Sequence, residues 1–125
     1  FIKNGVLGED IVLKSDGSQL YSFAHVSDAV LGLLWVLLQG ETGQAYNLGG
    51  EGSDITQRAL AELIADHVGT KVVFRLPEAV ERSGYSTATK ALMDAGKLRA
   101  LGWSAHYDIA GGIRETIDIL RDLQE

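Results

Sequence analysis

Ten consecutive residues, Ala29 to Leu38 (AVLGLLWVLL), carry no hydrophilic side chain. Ser27 and Asp28 stand before them, either able to cap the first amides, and Gly40 follows, so the stretch predicts a helix over 28–39. A helix that is apolar on every side must be covered on every side. The chain has 125 residues, enough for one sizeable core but not for a core and a second full domain. The helix therefore predicts a covering partner that these residues do not supply. At roughly half of the ~20 residues a membrane span needs, the run excludes a transmembrane reading. The opening FIKNG, apolar and then polar, reads as entered in mid-element, and the chain is expected to be a piece of something longer.

Composition narrows the partners. Eleven basic residues against 17 acidic ones give a net charge of −6, with no basic cluster, which excludes a nucleic-acid backbone as partner. The absence of cysteine is compatible with a reducing compartment, and the expected location is cytoplasmic.

Ile11-Val12-Leu13, then SDGS, then Leu20, Tyr21, Phe23 and Val26 predict two strands joined as a hairpin at Asp16-Gly17. QAYNLGG reads as a short strand running into a glycine turn. Thr56 is the expected N-cap of a helix whose Leu60, Ala61, Ile64, Ala65 and Val68 form one stripe before Gly69. KVVFRLP reads as a strand, 94–101 as a short helix ending at Gly102, and Asp108 as the start of a last helix carrying Ile109, Ile113, Ile117 and Leu120 on one face. Strands and helices alternate without repeats, which gives an α/β, mixed α+β class.

Chemistry-bearing motifs are few. YSTATK brings Tyr85 within five residues of Lys90. A helical turn of roughly 100° per residue aligns a pair four apart, not five, so this pair imitates a catalytic tyrosine and lysine without sharing a face. His25, His67 and His106 are scattered with no metal-ligand spacing, so no metal site is expected. GVLG and NLGG lack the G-x-G-x-x-G spacing of a phosphate loop. Gly49 and Gly50 are read as turning the chain, Gly111 and Gly112 as allowing close packing, and Asp94 as a cap with a surface charge pair to Lys97.

The order of segments resembles the C-terminal part of the extended short-chain dehydrogenase/reductase family, the NAD-dependent nucleotide-sugar epimerases, dehydratases and decarboxylases. GEDIVLKSDGSQLYSFAHVSDAVLGLL, GQAYNLGG and MDAGKLRALGW carry the resemblance over nearly the whole chain. The nearest wording is to dTDP-glucose 4,6-dehydratases and UDP-glucuronate decarboxylases, lyase and isomerase chemistry by transient oxidation of the sugar.

The resemblance implies that residues 1–125 are the small substrate domain of a Rossmann-type enzyme, with the Rossmann half absent. NAD(P) and the catalytic Tyr-x-x-x-Lys pair would belong to that half, so no catalytic or cofactor-binding residue is expected in this chain. The apolar helix would lie at the junction of the two halves, and the full-length protein would be a homodimer. Gln19, Tyr21 and Thr56 would line the site for a nucleotide-diphosphate sugar. Tyr21 stands where the family carries an arginine for the diphosphate; a phenol offers one hydrogen bond and no charge. Lys90 and Arg82 are the cations placed to compensate. Asn47 matches an asparagine that binds backbone, and Asp28 an acidic residue read as a helix cap or a ligand contact. A different class remains open: a non-catalytic or degenerate module that binds a protein through the helix at 28–39. The separate chain is expected to bind no NAD and turn over no sugar nucleotide; a micromolar NAD dissociation constant would sink that expectation.

Overall fold

The structure, a computed structural model, describes residues 1–76 and 88–123. Ten elements follow in order: α1 (Ile2–Val6), β1 (Ile11–Leu13), β2 (Leu20–Ser22), α2 (Val26–Gln39), β3 (Asp54–Thr56), α3 (Gln57–Val68), β4 (Val72–Phe74), β5 (Lys90–Ala91), α4 (Gly96–Ala100) and α5 (Ile109–Asp122). The α/β class stands, and the strands form two small sheets. β1 pairs in parallel with β4, Ile11 opposite Val72. β2 lies between β3, antiparallel, and β5, parallel.

The hairpin expected at Asp16-Gly17 is not formed, because β1 and β2 belong to different sheets. The turn closes on itself instead. Asp16 Oδ1 accepts from the Ser18 amide and hydroxyl at 3.0 and 2.7 Å, and Ser15 Oγ accepts from the Gly17 amide at 3.1 Å. It is then seated on the start of α3: Arg58 donates from Nε and Nη2 to the Asp16 carbonyl, and its amide bonds the Gly17 carbonyl. Gly17 has φ +74°, and a Cβ there would lie 2.8 Å from Arg58 Cβ, so both conformation and space demand glycine. QAYNLGG likewise forms no strand; its residues run irregularly past the segment around Met93.

α3 and α5 follow their sequence signals, whereas α1 was not expected from the sequence. Thr56 Oγ1 accepts from the Ala59 amide at 3.1 Å, and Gly69 closes α3 in the left-handed conformation. Asp108 caps α5 through the Gly111 amide at 2.6 Å. The stripes of α3 and α5 meet β1 in one core: Ile11, Leu13, Ala61, Ile64, Ala65, Ile113 and Ile117 are buried together. Each buried isoleucine contributes about 1.5–3 kcal/mol relative to exposure.

A second, smaller cluster joins Ala95, Leu98 and Trp103 beneath Val36 and Leu48. Here α2 is fastened by one edge. Only Asp28 and Gly32 of α2 are buried, and Gly32 admits Leu48 so closely that a Cβ would meet its Cδ1 at 2.6 Å. Trp35 donates from Nε1 to the Leu101 carbonyl at 2.6 Å. Most of the other apolar side chains of α2 face outward, with Leu37 and Leu38 at 77% and 74% exposed. No helix among the described residues is long and apolar enough to cross a membrane.

Candidate functional site

The three-stranded sheet collects most of the expected site residues around β2. In register, Leu20 lies between Thr56 on β3 and Lys90 on β5, while Tyr21 lies between Ile55 and Ala91. Opposed residues share a face and successive residues alternate. Thr56 and Lys90 therefore flank Leu20 on one face, and Tyr21 leaves by the other. Gln19, one residue before the strand, accepts from Ser15 Oγ at 3.2 Å through Oε1. Arg82 and Tyr85 lie outside the described residues.

The polar atoms of these residues are unequally committed. Thr56 Oγ1 is the cap of α3. Tyr21 donates its phenolic proton to the Ala88 carbonyl at 3.2 Å, and its ring meets Phe23 edge-on at 6.5 Å. Lys90 is exposed, and its ammonium has no hydrogen bond or ion pair among the described residues. A lysine in that state can meet an anion as a mobile point charge. Asp16 is held below the usual carboxylate range, first by the Ser18 amide, then by the Ser18 hydroxyl, with Arg58 adding a smaller pull.

Other sequence candidates resolve into structure. Asp28 is not the cap: at 1% exposed, its two oxygens accept from the His106 and Tyr107 amides at 2.8 and 3.0 Å. The cap of α2 is His25, whose Nδ1 accepts from the Ser27 amide at 3.4 Å. Asn47 donates to the Asp94 carbonyl at 3.2 Å, the backbone role expected of it, though from an irregular segment rather than a strand end. Asp94 is not the cap expected of it: the N-cap of α4 is Ala95, with no side-chain cap bond, while Asp94 Oδ1 accepts from the Gly96 amide at 2.8 Å and pairs with Arg99 at 3.9 Å rather than with Lys97. Lys97 reaches back to Gln44 Oε1 at 2.7 Å and over the Tyr46 ring. Gly112 packs against His25, where a Cβ would come within 3.2 Å of the ring.

One feature escaped the sequence. A cleft of about 570 Å³ opens among Phe1, Phe23, His25, Leu60, Tyr107 and Ile113. None of Gln19, Tyr21, Thr56 and Lys90 lines it. Its walls come from remote segments, and no local pattern marks such a convergence. The pairing of His25 with Tyr107, ring centroids 4.2 Å apart, is equally invisible at a separation of 82 residues.

The described residues do not fit a dinucleotide. A pyrophosphate is held by free amides at a glycine-rich helix start. The starts of α2, α3 and α5 already spend such amides on His25, Thr56 and Asp108, and none follows that glycine pattern. No group of three or more potential metal ligands occurs among the described residues.

Residues 1–49 match the model of the NAD dependent epimerase/dehydratase family. Over 98% of the chain, 34% of residues are identical to a dTDP-glucose 4,6-dehydratase of Streptomyces antibioticus, of which the match covers 36%. The UDP-glucose 4-epimerase of Thermotoga maritima, solved with UDP-glucose, superposes with a TM-score of 0.83 at 22% identity, over 99% of this chain and 38% of that one. The dTDP-glucose 4,6-dehydratase of Streptomyces venezuelae, solved with NAD, gives 0.80 at 27% identity, over 97% and 37%. The chain thus spans about a third of the length of the relatives it matches.

Proposed function

We infer that this chain is the C-terminal, substrate-side portion of an extended short-chain dehydrogenase/reductase of the NAD-dependent nucleotide-sugar epimerase/dehydratase type, most like a dTDP-glucose 4,6-dehydratase. Its work is to hold the diphosphate of a nucleotide sugar. The observation that carries this reading is the similarity along 98% of the chain to a third of such a dehydratase. The uncovered face of α2 supports it, since a longer chain supplies the surface that such a face needs. NAD would serve the whole protein as oxidant of the sugar. The residues described do not fit it, so no redox step is assigned to them. Binding is assigned to Lys90 together with Gln19, Tyr21 and Thr56, and Arg82 is taken as the second cation on the family resemblance alone. The whole protein is read as a cytoplasmic homodimer, which its mass in solution would test.

The test is calorimetric titration of the intact protein with UDP and with dTDP. One nucleotide should bind, and Lys90→Ala should weaken it about tenfold, the loss of one charge-assisted contact. Equal affinity in the variant would refute the role of Lys90. A second reading, a non-catalytic module docking a protein through 28–39, draws on the same α2 face and on the phenol of Tyr21 being spent on backbone. It predicts no binding of either nucleotide.

A further inference from the structure

β5 is two residues long, and a strand that short is poorly held by its ladder alone. Its backbone tie to β2 includes the Leu20 amide on the Thr89 carbonyl at 3.0 Å. Two side chains of β2 add to this. Tyr21 donates to the Ala88 carbonyl, just before β5, and Ser22 Oγ accepts from the Met93 amide at 2.8 Å, just after it. Consecutive strand residues leave opposite faces, so the two bonds grip the 88–93 segment at both ends and from both sides of the sheet. Ser22 is itself fixed: its single proton goes to Asp54 Oδ1 on β3 at 2.5 Å, which leaves a lone pair for the Met93 amide. Lys90 lies between the two grips.

We propose that Tyr21 and Ser22 are positioning residues, a clip that fixes β5 and so presents the ammonium of Lys90 to the diphosphate. The proposal rests on the nucleotide-binding reading above. Tyr21 is then no weakened substitute for a phosphate-binding arginine. Its one donor is used on the Ala88 carbonyl, just before the strand that carries the cation.

Hydrogen exchange in the intact protein and titration with UDP and with dTDP test the clip together, on Tyr21→Phe, Ser22→Ala and the conservative Ser22→Thr. Without nucleotide, amides of 88–93 should exchange about fivefold faster in Tyr21→Phe and Ser22→Ala, and Ser22→Thr should restore them. Affinity for whichever of UDP and dTDP binds should fall in the same two variants, and fall little further when either is combined with Lys90→Ala. Unchanged exchange overturns the clip. Faster exchange with undiminished affinity overturns its positioning role, and a loss for Tyr21→Phe that adds fully to that of Lys90→Ala makes Tyr21 a direct contact instead. If the unsubstituted protein binds neither UDP nor dTDP while exchange responds as expected, the nucleotide reading fails and the clip stands.

Discussion

Asp28→Asn replaces one carboxylate oxygen by an amino group and should loosen the attachment of α2. The carboxylate is 1% exposed and accepts two backbone amides, from His106 at 2.8 Å and Tyr107 at 3.0 Å. Asparagine keeps the volume but turns one acceptor into a donor that faces an N–H. A hydrogen bond to a charged group contributes about 1.5–3 kcal/mol, and a buried donor left unpaired costs about 1–3 kcal/mol. Asp28→Asn should therefore cost about 2–4 kcal/mol, and Asp28→Ala, which orphans both amides, about 3–5 kcal/mol. At about 1.4 kcal/mol per decade, a 3 kcal/mol loss raises the opening equilibrium about a hundredfold. Exchange of a peptide spanning 104–108 in the intact protein reads that quantity directly. A rate within about threefold of the unsubstituted protein would show that the two amides find other partners and that Asp28 does not anchor the helix.

Gly17→Ala should destabilise the protein by about 2–4 kcal/mol, since a Cβ at φ +74° also meets Arg58 Cβ and amide at 2.8 and 2.9 Å; urea titration giving a change below about 0.5 kcal/mol would refute this. Asp16 has its folded pKa lowered by the Ser18 amide first and the Ser18 hydroxyl second, so its contribution is present above the ordinary carboxylate value and is lost as pH falls through the lower folded value. Ser18→Ala removes the hydroxyl and should move the Asp16 titration, followed by NMR, back toward the ordinary value; an unmoved titration would show that the backbone amide alone sets it.

The starts of α3 and α5 were legible because their signals are local, whereas α1 was not foreseen and α2 begins at a different cap. Thr56 and Asp108 cap where their side chains and the following apolar stripes demand, and Gly69 ends α3 in the conformation that glycine tolerates best. The sheets were not legible, because three-residue strands carry too little alternation to choose a partner. Asp16-Gly17 is a strong turn signal, and it is a turn; what no local rule could say is that Arg58, 42 residues away, receives it in place of a returning strand. Asp28 looked like a cap because it begins an apolar run, whereas its partners, the amides of 106 and 107, have no sequence signature. Gln19, Tyr21, Thr56 and Lys90 were named through family resemblance rather than composition, and their division between two sheet faces became visible only with the register of β2.

That register has a consequence for the chain as it is made. Ser22 is separated from Asp54 by 32 residues and from Met93 by 71. Closing a loop costs more entropy the longer it is, so β3 is expected to pair with β2 before β5 does. During synthesis β2 waits with one edge open until residue 93 has emerged. At three residues that edge is too short to recruit a neighbouring chain efficiently, so the strand can stay unfinished without inviting aggregation.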